Sequence, residues 1–218
     1  MSKIAWVAGA SGLVGQELVA QLSQHADFSK VIAFVRKPLD LPIFQHENVE
    51  QFVVDFEKLS APSTKVDSLF CALGSTTKKT PNYDDYYKID VSYPYEFAKL
   101  GKTKGARFYG LVSAHGANQN SYSNYLKMKG LLEKDLSKLL YSTVAFARPS
   151  LLKGDRKEFR LLEKLSETIV SLMPGNYKAI HAKDVAASLI AASKNLIEKK
   201  RVLTSKEMQK PQHISFSK

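Results

Sequence analysis

Short apolar runs alternate along this chain with longer stretches in which apolar residues recur every three or four positions. The short runs predict strands at Lys3–Val7, Val31–Val35, Glu50–Val54, Asp67–Leu73, Ala106–Val112, Thr143–Ala147 and Arg201–Thr204. The longer period predicts helices at Leu13–Gln24, Tyr83–Leu100, Asn124–Leu140, Arg156–Val170 and Ala182–Ala192, while "DFEKLSAP" is too short for much helix. Runs that stay apolar throughout suit strands buried on both faces, and their alternation with helices is the pattern of a parallel sheet covered on both sides. The fold class expected is α/β, a doubly wound, mostly parallel sheet with helices on both faces. No repeat or flexible linker divides residues 1–218, so a single domain is expected, with residues 151–181 a small substrate-side insertion near the sheet's carboxyl edge.

The first strand runs into "GASGLVG", with glycines at 9, 12 and 15. A tight turn there brings backbone N–H groups to a pyrophosphate at the next helix's N-terminus, where a side chain on Gly12 would block the approach. Gly9, Ser11, Gly12, Leu13, Val14 and Gly15 are therefore the expected cofactor-binding turn. The spacing has one residue more than the usual G-x-G-x-x-G, but its place between an apolar strand and "LVGQELVAQL" is the context that the motif requires. After the second strand stand Arg36 and Lys37, where a ribose-binding acid is common in NAD-binding domains. Two cations could pair with a 2′-phosphate, which favours NADP(H), with NAD(H) the alternative. Asp55 either contacts adenine or caps the following turn. Leu73 and Gly74, ending the fourth strand in "FCALGSTTKK", let backbone pass close to the cofactor.

Two Tyr-x-x-x-Lys pairs occur, Tyr95/Lys99 and Tyr125/Lys129, and with ten tyrosines in the chain the spacing alone selects neither. The setting does. Ser113 ends the strand "YGLVS" on the same edge as the glycine turn, and Tyr125 comes twelve residues later. At i and i+4, Tyr125 and Lys129 share one helix face. With these residues, "VAGASGLVG", "FCALGSTTKK", "LVSAHGANQNSYSNYLKMKG", "ARPSLLKGDRKEFR" and "IHAKDVAASLI", the chain resembles the short-chain dehydrogenase/reductase superfamily. The nearest likeness is to its small atypical members related to the Tat-interacting, oxidoreductase-like proteins. The resemblance implies a Rossmann-like fold with NADP(H), matches Ser113, Tyr125 and Lys129 to the family's Ser, Tyr and Lys, and puts Pro149 and Ser150 beside the nicotinamide. The helix asparagine that supports a proton relay in better-characterised reductases is not identifiable.

The chemistry is consistent with that assignment. A carbonyl accepting hydride develops negative charge on oxygen, so Tyr125 could donate a proton while Ser113 hydrogen-bonds to the same oxygen. Lys129 would favour tyrosinate and hold the nicotinamide ribose. The leading expectation is an NADP(H)-dependent oxidoreductase acting on a small or medium carbonyl or alcohol. The alternative is a non-catalytic NADP(H)-binding regulatory or protein-interaction module.

Composition changes this picture little. The formal charge of +11 favours anionic partners, but no zinc-finger spacing, RNA-binding motif or basic helix accompanies it, so no specific nucleic acid is expected. No apolar stretch approaches a transmembrane span, and "MSKIAWVAGASG" leaves no room for a signal peptide. The single cysteine, Cys71, falls at an apolar strand end and forms no internal disulfide; no metal site is expected. These features point to the cytoplasm and leave a peripheral membrane association open.

Overall fold

The computed structural model describes residues 2–75, 79–153 and 179–211. Among them the order is β1 (Lys3–Ala8), α1 (Leu13–Ser23), β2 (Phe28–Val35), β3 (Val49–Val53), β4 (Ser68–Cys71), α2 (Tyr83–Tyr87), α3 (Tyr93–Thr103), β5 (Phe108–Val112), α4 (Asn124–Leu136), β6 (Thr143–Arg148), β7 (Leu152–Lys153), β8 (Ile180–His181), α5 (Ala182–Lys194), β9 (Lys200–Thr204) and α6 (Ser205–Met208). The main sheet runs β3-β2-β1-β4-β5-β6-β9 with every neighbouring pair parallel. Strand order reverses between β1 and β4, the place where open α/β sheets bind ligands beyond the strands' carboxyl ends.

Side chains of each strand alternate between two cores. On one face Ala5 and Val7 join Val31, Ala33 and Phe70 under Leu18 and Leu22 of α1 and Val185 and Leu189 of α5. On the other, Trp6 and Ala8 join Ile32, Phe34, Leu69 and Leu111 under Phe97 of α3 and Leu132 and Leu136 of α4. The Trp6 ring lies 5.1 Å from that of Phe34. Two dry faces explain why the central strands β1, β4, β5 and β6 carry no polar alternation. Cys71 is a free thiol in the second core.

The helix expected over Tyr83–Leu100 is interrupted. α2 and α3 are joined by a π turn at Lys88–Ser92, which adds a residue to the helical repeat and rotates α3 relative to α2. A 3₁₀ turn, Phe56–Lys58, occupies the short third crossover. α4 is seated on the loop after β5: a Cβ on Gly130 would stand 2.2 Å from the Gln119 nitrogen, so only glycine permits this approach. Asn118 N–H also donates to the Leu126 carbonyl at 3.1 Å, fixing where the first turn of α4 lies. The expected helix Arg156–Val170 and most of the 151–181 insertion lie outside the described residues.

Candidate active site

Gly9 leaves β1 at φ +78°, a left-handed conformation that disfavours side chains, and a Cβ there would meet the Ala72 carbonyl at 2.5 Å. Gly12 N–H bonds the Gly9 carbonyl at 2.9 Å, and a Cβ on Gly15 would come within 2.0 Å of that same oxygen. The turn thus packs α1 hard against β1 and β4. Gly12 is the N-cap of α1 without a side-chain cap, and no acidic residue stands in the first turn. Backbone N–H groups and the positive end of the helix dipole are left for an anion.

A cavity of about 360 Å³ opens at this edge, lined by the expected Gly9, Ser11, Gly12, Arg36, Leu73 and Gly74. It is also lined by Phe56, Ser75, Lys79 and Tyr93, which sequence reasoning did not single out. The Phe56 and Tyr93 rings, 5.7 Å apart, give it an aromatic wall. Glycine cradle, uncapped helix and mixed basic and aromatic lining fit a dinucleotide. Leu13, Val14 and Gly15 stand behind the turn and do not line the cavity, and Lys37 is exposed beside it. Asp55 caps the 3₁₀ turn by accepting the Glu57 N–H at 2.9 Å, while its neighbour Phe56 reaches the cavity. Gly12→Val is expected to weaken NADH by more than about tenfold, 1.4 kcal/mol, in a calorimetric titration. Its melting temperature should fall as well, because a Cβ there would stand 3.1 Å from the Gly9 carbonyl oxygen, a tight contact with backbone, so the titration is read on protein shown to be folded.

Tyr125 lies in the first turn of α4 and is 37% exposed, whereas Lys129, one turn on, is 2% exposed. The Lys129 ammonium is 5.9 Å from the Tyr125 ring centre. Lys99 stands almost the same distance, 5.8 Å, from the Tyr95 ring, but it is exposed and paired with Glu96 on the surface. Burial and partner separate the two pairs. Lys129 meets the carboxylate of Asp90, itself 1% exposed, at 2.8 Å. Burial opposes the charge on Lys129, yet Asp90 and then Tyr125 hold its pKa above the usual lysine value.

For Tyr125 the balance differs from the sequence expectation. Burial raises its pKa, Lys129 lowers it and Asp90 raises it, leaving it above the ordinary tyrosine value. Lys129 favours tyrosinate, but burial first and Asp90 after it outweigh that pull, and the hydroxyl keeps its proton. Tyr86, its ring centre 6.5 Å from that of Tyr125, is likewise pushed up by burial first and by Asp90 second. The sequence signal for Asp90 was a lone acid on the apolar side of "YYKIDVSYPYEFA", masked by the π turn that shifts the helical phase.

Ser113 is buried at the end of β5, and its Oγ donates to Glu133 Oε1 at 2.6 Å. Glu133, buried one turn beyond Lys129, also takes Arg148 Nε at 2.9 Å and Nη2 at 2.5 Å in a two-pronged pair. A hydroxyl has one proton, so in this geometry Ser113 ties β5 to α4 and must leave Glu133 before it can donate to a substrate oxygen. The Pro149 carbonyl accepts the His115 N–H at 2.9 Å, and Ser150 Oγ shares a hydrogen bond of 3.0 Å with Ser205 Oγ. Neither Pro149 nor Ser150 lines the cavity.

A parallel doubly wound sheet, a glycine turn at its switch point and a Tyr/Lys pair on the helix after β5 define the short-chain dehydrogenase/reductase type of Rossmann protein. Residues 9–195 match the NAD(P)H-binding family. Protein HTATIP2 of Rattus norvegicus is 32% identical over 199 residues, 90% of this chain and 82% of its own. The mitochondrial protein FMP52 of Kluyveromyces lactis is 36% identical over 157 residues, 70% of this chain and 68% of its own. Among solved structures, MoeE5 in complex with UDP-glucose and NAD has a TM-score of 0.70 at 15% identity, covering 94% of this chain and 79% of its own. The chain belongs to the NAD(P)H-binding, short-chain dehydrogenase/reductase-like family of oxidoreductases related to HTATIP2 and FMP52.

Two expectations are corrected. The preference for NADP(H) is overturned by the MoeE5 complexes, which hold NAD. Arg36 and Lys37 are exposed at an open turn, where a cation serves equally to meet a pyrophosphate or stack on adenine, so their charge does not require a 2′-phosphate. The cytoplasmic location is overturned by the FMP52 relatives, named as mitochondrial in several fungi. Net charge and an apolar start do not carry a compartment. No helix among the described residues is long and apolar enough to cross a membrane.

Proposed function

We propose that this oxidoreductase uses NAD(H) and that Tyr125 carries the proton to and from the oxygen of its carbonyl or alcohol substrate. The observation that carries this is the buried Lys129 beside Tyr125, joined through Asp90 to a loop of the dinucleotide cavity. The glycine turn and the first turn of α1 would hold the pyrophosphate, with Arg36, Phe56 and Tyr93 around the adenosine half. When bound, the cofactor supplies or accepts the hydride. The chain's own part is at the oxygen: Tyr125 donates as negative charge develops there, and the enclosed Lys129 keeps a positive charge 5.9 Å from the centre of the phenol ring.

Tyr125 retains its proton well past neutrality, so the resting site is an acid prepared for carbonyl reduction. Sugar nucleotides are the first substrates to try, supported by the UDP-glucose and UDP-glucuronic acid in the MoeE5 complexes of this fold. A mitochondrial location is supported by the names of the FMP52 relatives and is checked by imaging a fluorescent fusion. The deciding experiment is NADH oxidation over a panel of carbonyls that includes UDP-sugars, with alcohol oxidation by NAD⁺ measured in parallel. Reduction should be flat through neutral pH and fall only when the phenol ionises. Oxidation needs tyrosinate and should climb by about tenfold per pH unit while that form is scarce. NADH binding with no turnover over the panel would reject the proposal and return the regulatory alternative.

A further inference from the structure

The Asp90 carboxylate is used on two sides. Oδ1 meets Lys129 Nζ at 2.8 Å, and Oδ2 accepts the Ser75 backbone N–H at 2.8 Å. Ser75 belongs to the loop after β4, which lines the same cavity as Gly9 and Gly12. Gly74 rests against the carboxylate too, since a Cβ there would stand 3.5 Å from Oδ1. The residue is delivered by the π turn between α2 and α3, and is buried where a charge without partners would be strongly disfavoured.

We propose that Asp90 is a positioning residue for the reaction, one carboxylate that clamps the Lys129 ammonium beside Tyr125 and ties it to the cofactor-side backbone at Ser75. The inference rests on the reading of Tyr125 and Lys129 given above and deepens it. Occupancy of the cavity and placement of the ammonium become mechanically linked, because a shift of the Ser75 loop drags the carboxylate that holds Lys129. The pair also presents Tyr125 with a nearly neutral couple instead of a bare cation. The other titratable groups around it are Tyr86 on α2 and Cys71 on β4, both kept neutral by burial. Deleting the Asp90 charge lets the first proton leave the Tyr125/Lys129 pair at lower pH, whichever group releases it.

Asp90→Asn tests this, because it keeps the shape and an oxygen for Ser75 while removing the charge. An NMR titration of isotope-labelled tyrosine and lysine side chains follows the protons directly, with Tyr125→Phe supplying the assignment. The first ionisation of the pair should move to lower pH, and the alkaline limb of carbonyl reduction should move with it. Asp90→Ala, which also strands the Ser75 N–H, should weaken NADH by about five- to tenfold in a calorimetric titration, the weight of about one hydrogen bond. An unmoved ionisation in folded Asp90→Asn overturns the clamp. Wild-type NADH affinity in folded Asp90→Ala overturns the link to the cofactor loop; if that variant does not fold, hydrogen exchange of the Ser75 amide in the wild type decides, and an amide as fast as an unbonded one overturns the link. Should the wild type process no carbonyl, the functional reading fails, and the NMR titration still judges Asp90.

Discussion

Tyr125→Phe is expected to slow NADH-dependent carbonyl reduction by roughly 10²–10⁴-fold, the usual weight of positioned acid–base transfer. NADH affinity and melting temperature should stay close to wild type. The substitution keeps the ring near Tyr86 and removes only the transferable proton. Tyr95→Phe is the control: its lysine neighbour, Lys99, is exposed and spent on Glu96, so the rate should hardly change. Steady-state NADH oxidation and direct titration of each variant make the comparison. A folded Tyr125→Phe protein that matches the wild-type rate removes Tyr125 from the chemistry.

Lys129→Met should be the most destabilising exchange in the site, at about 3–5 kcal/mol. Methionine fills much of the same volume, so the penalty comes from Asp90, left buried with a charge and no counter-ion. For a chain of this size that corresponds to a fall in Tm of about 6–20 °C. Adding Asp90→Asn should recover part of the loss, because the two side chains share one interaction and their effects cannot add. Denaturant melts of the two single variants and the double variant supply the cycle. If Lys129→Met costs no more than replacing an exposed lysine such as Lys99, or if the double variant shows simple additivity, the buried pair does not hold this site together.

The two variants separate functions that one sequence motif runs together. In "SNYLKMKG" the tyrosine and lysine look like equal members of a pair. In the fold Tyr125 is accessible enough to meet a substrate, whereas Lys129 is enclosed and acts through the groups it touches. The Ser113 expectation turns on a similar distinction. A serine at a strand end reads as a free hydroxyl, but Glu133 faces it from α4 and accepts its hydrogen bond. Along the sequence Glu133 is one more charge on a helix; only the fold brings Arg148 of β6 alongside it.

Hydrophobic period and glycine placement are properties of neighbouring residues, so the sequence by itself determined the strands, the doubly covered parallel sheet and the turn at Gly9–Gly15. The continuous apolar runs arise from two cores, one on each face, and the turn arises from the left-handed Gly9 and the contact of Gly15 with its carbonyl. Tertiary structure decided which of the two pairs has a buried lysine, that Asp90 is the counter-ion of that lysine, and that Phe56 and Tyr93 wall the cavity. Those contacts join residues far apart along the chain, and a π turn that advances the helix by one residue changes which side chain points inward without altering the composition that sequence patterns read. Electrostatics at the site had the same dependence: burial raises the pKa of Tyr125, Lys129 opposes it and Asp90 adds to it, and all three are set by how the chain packs and not by the order of residues along it.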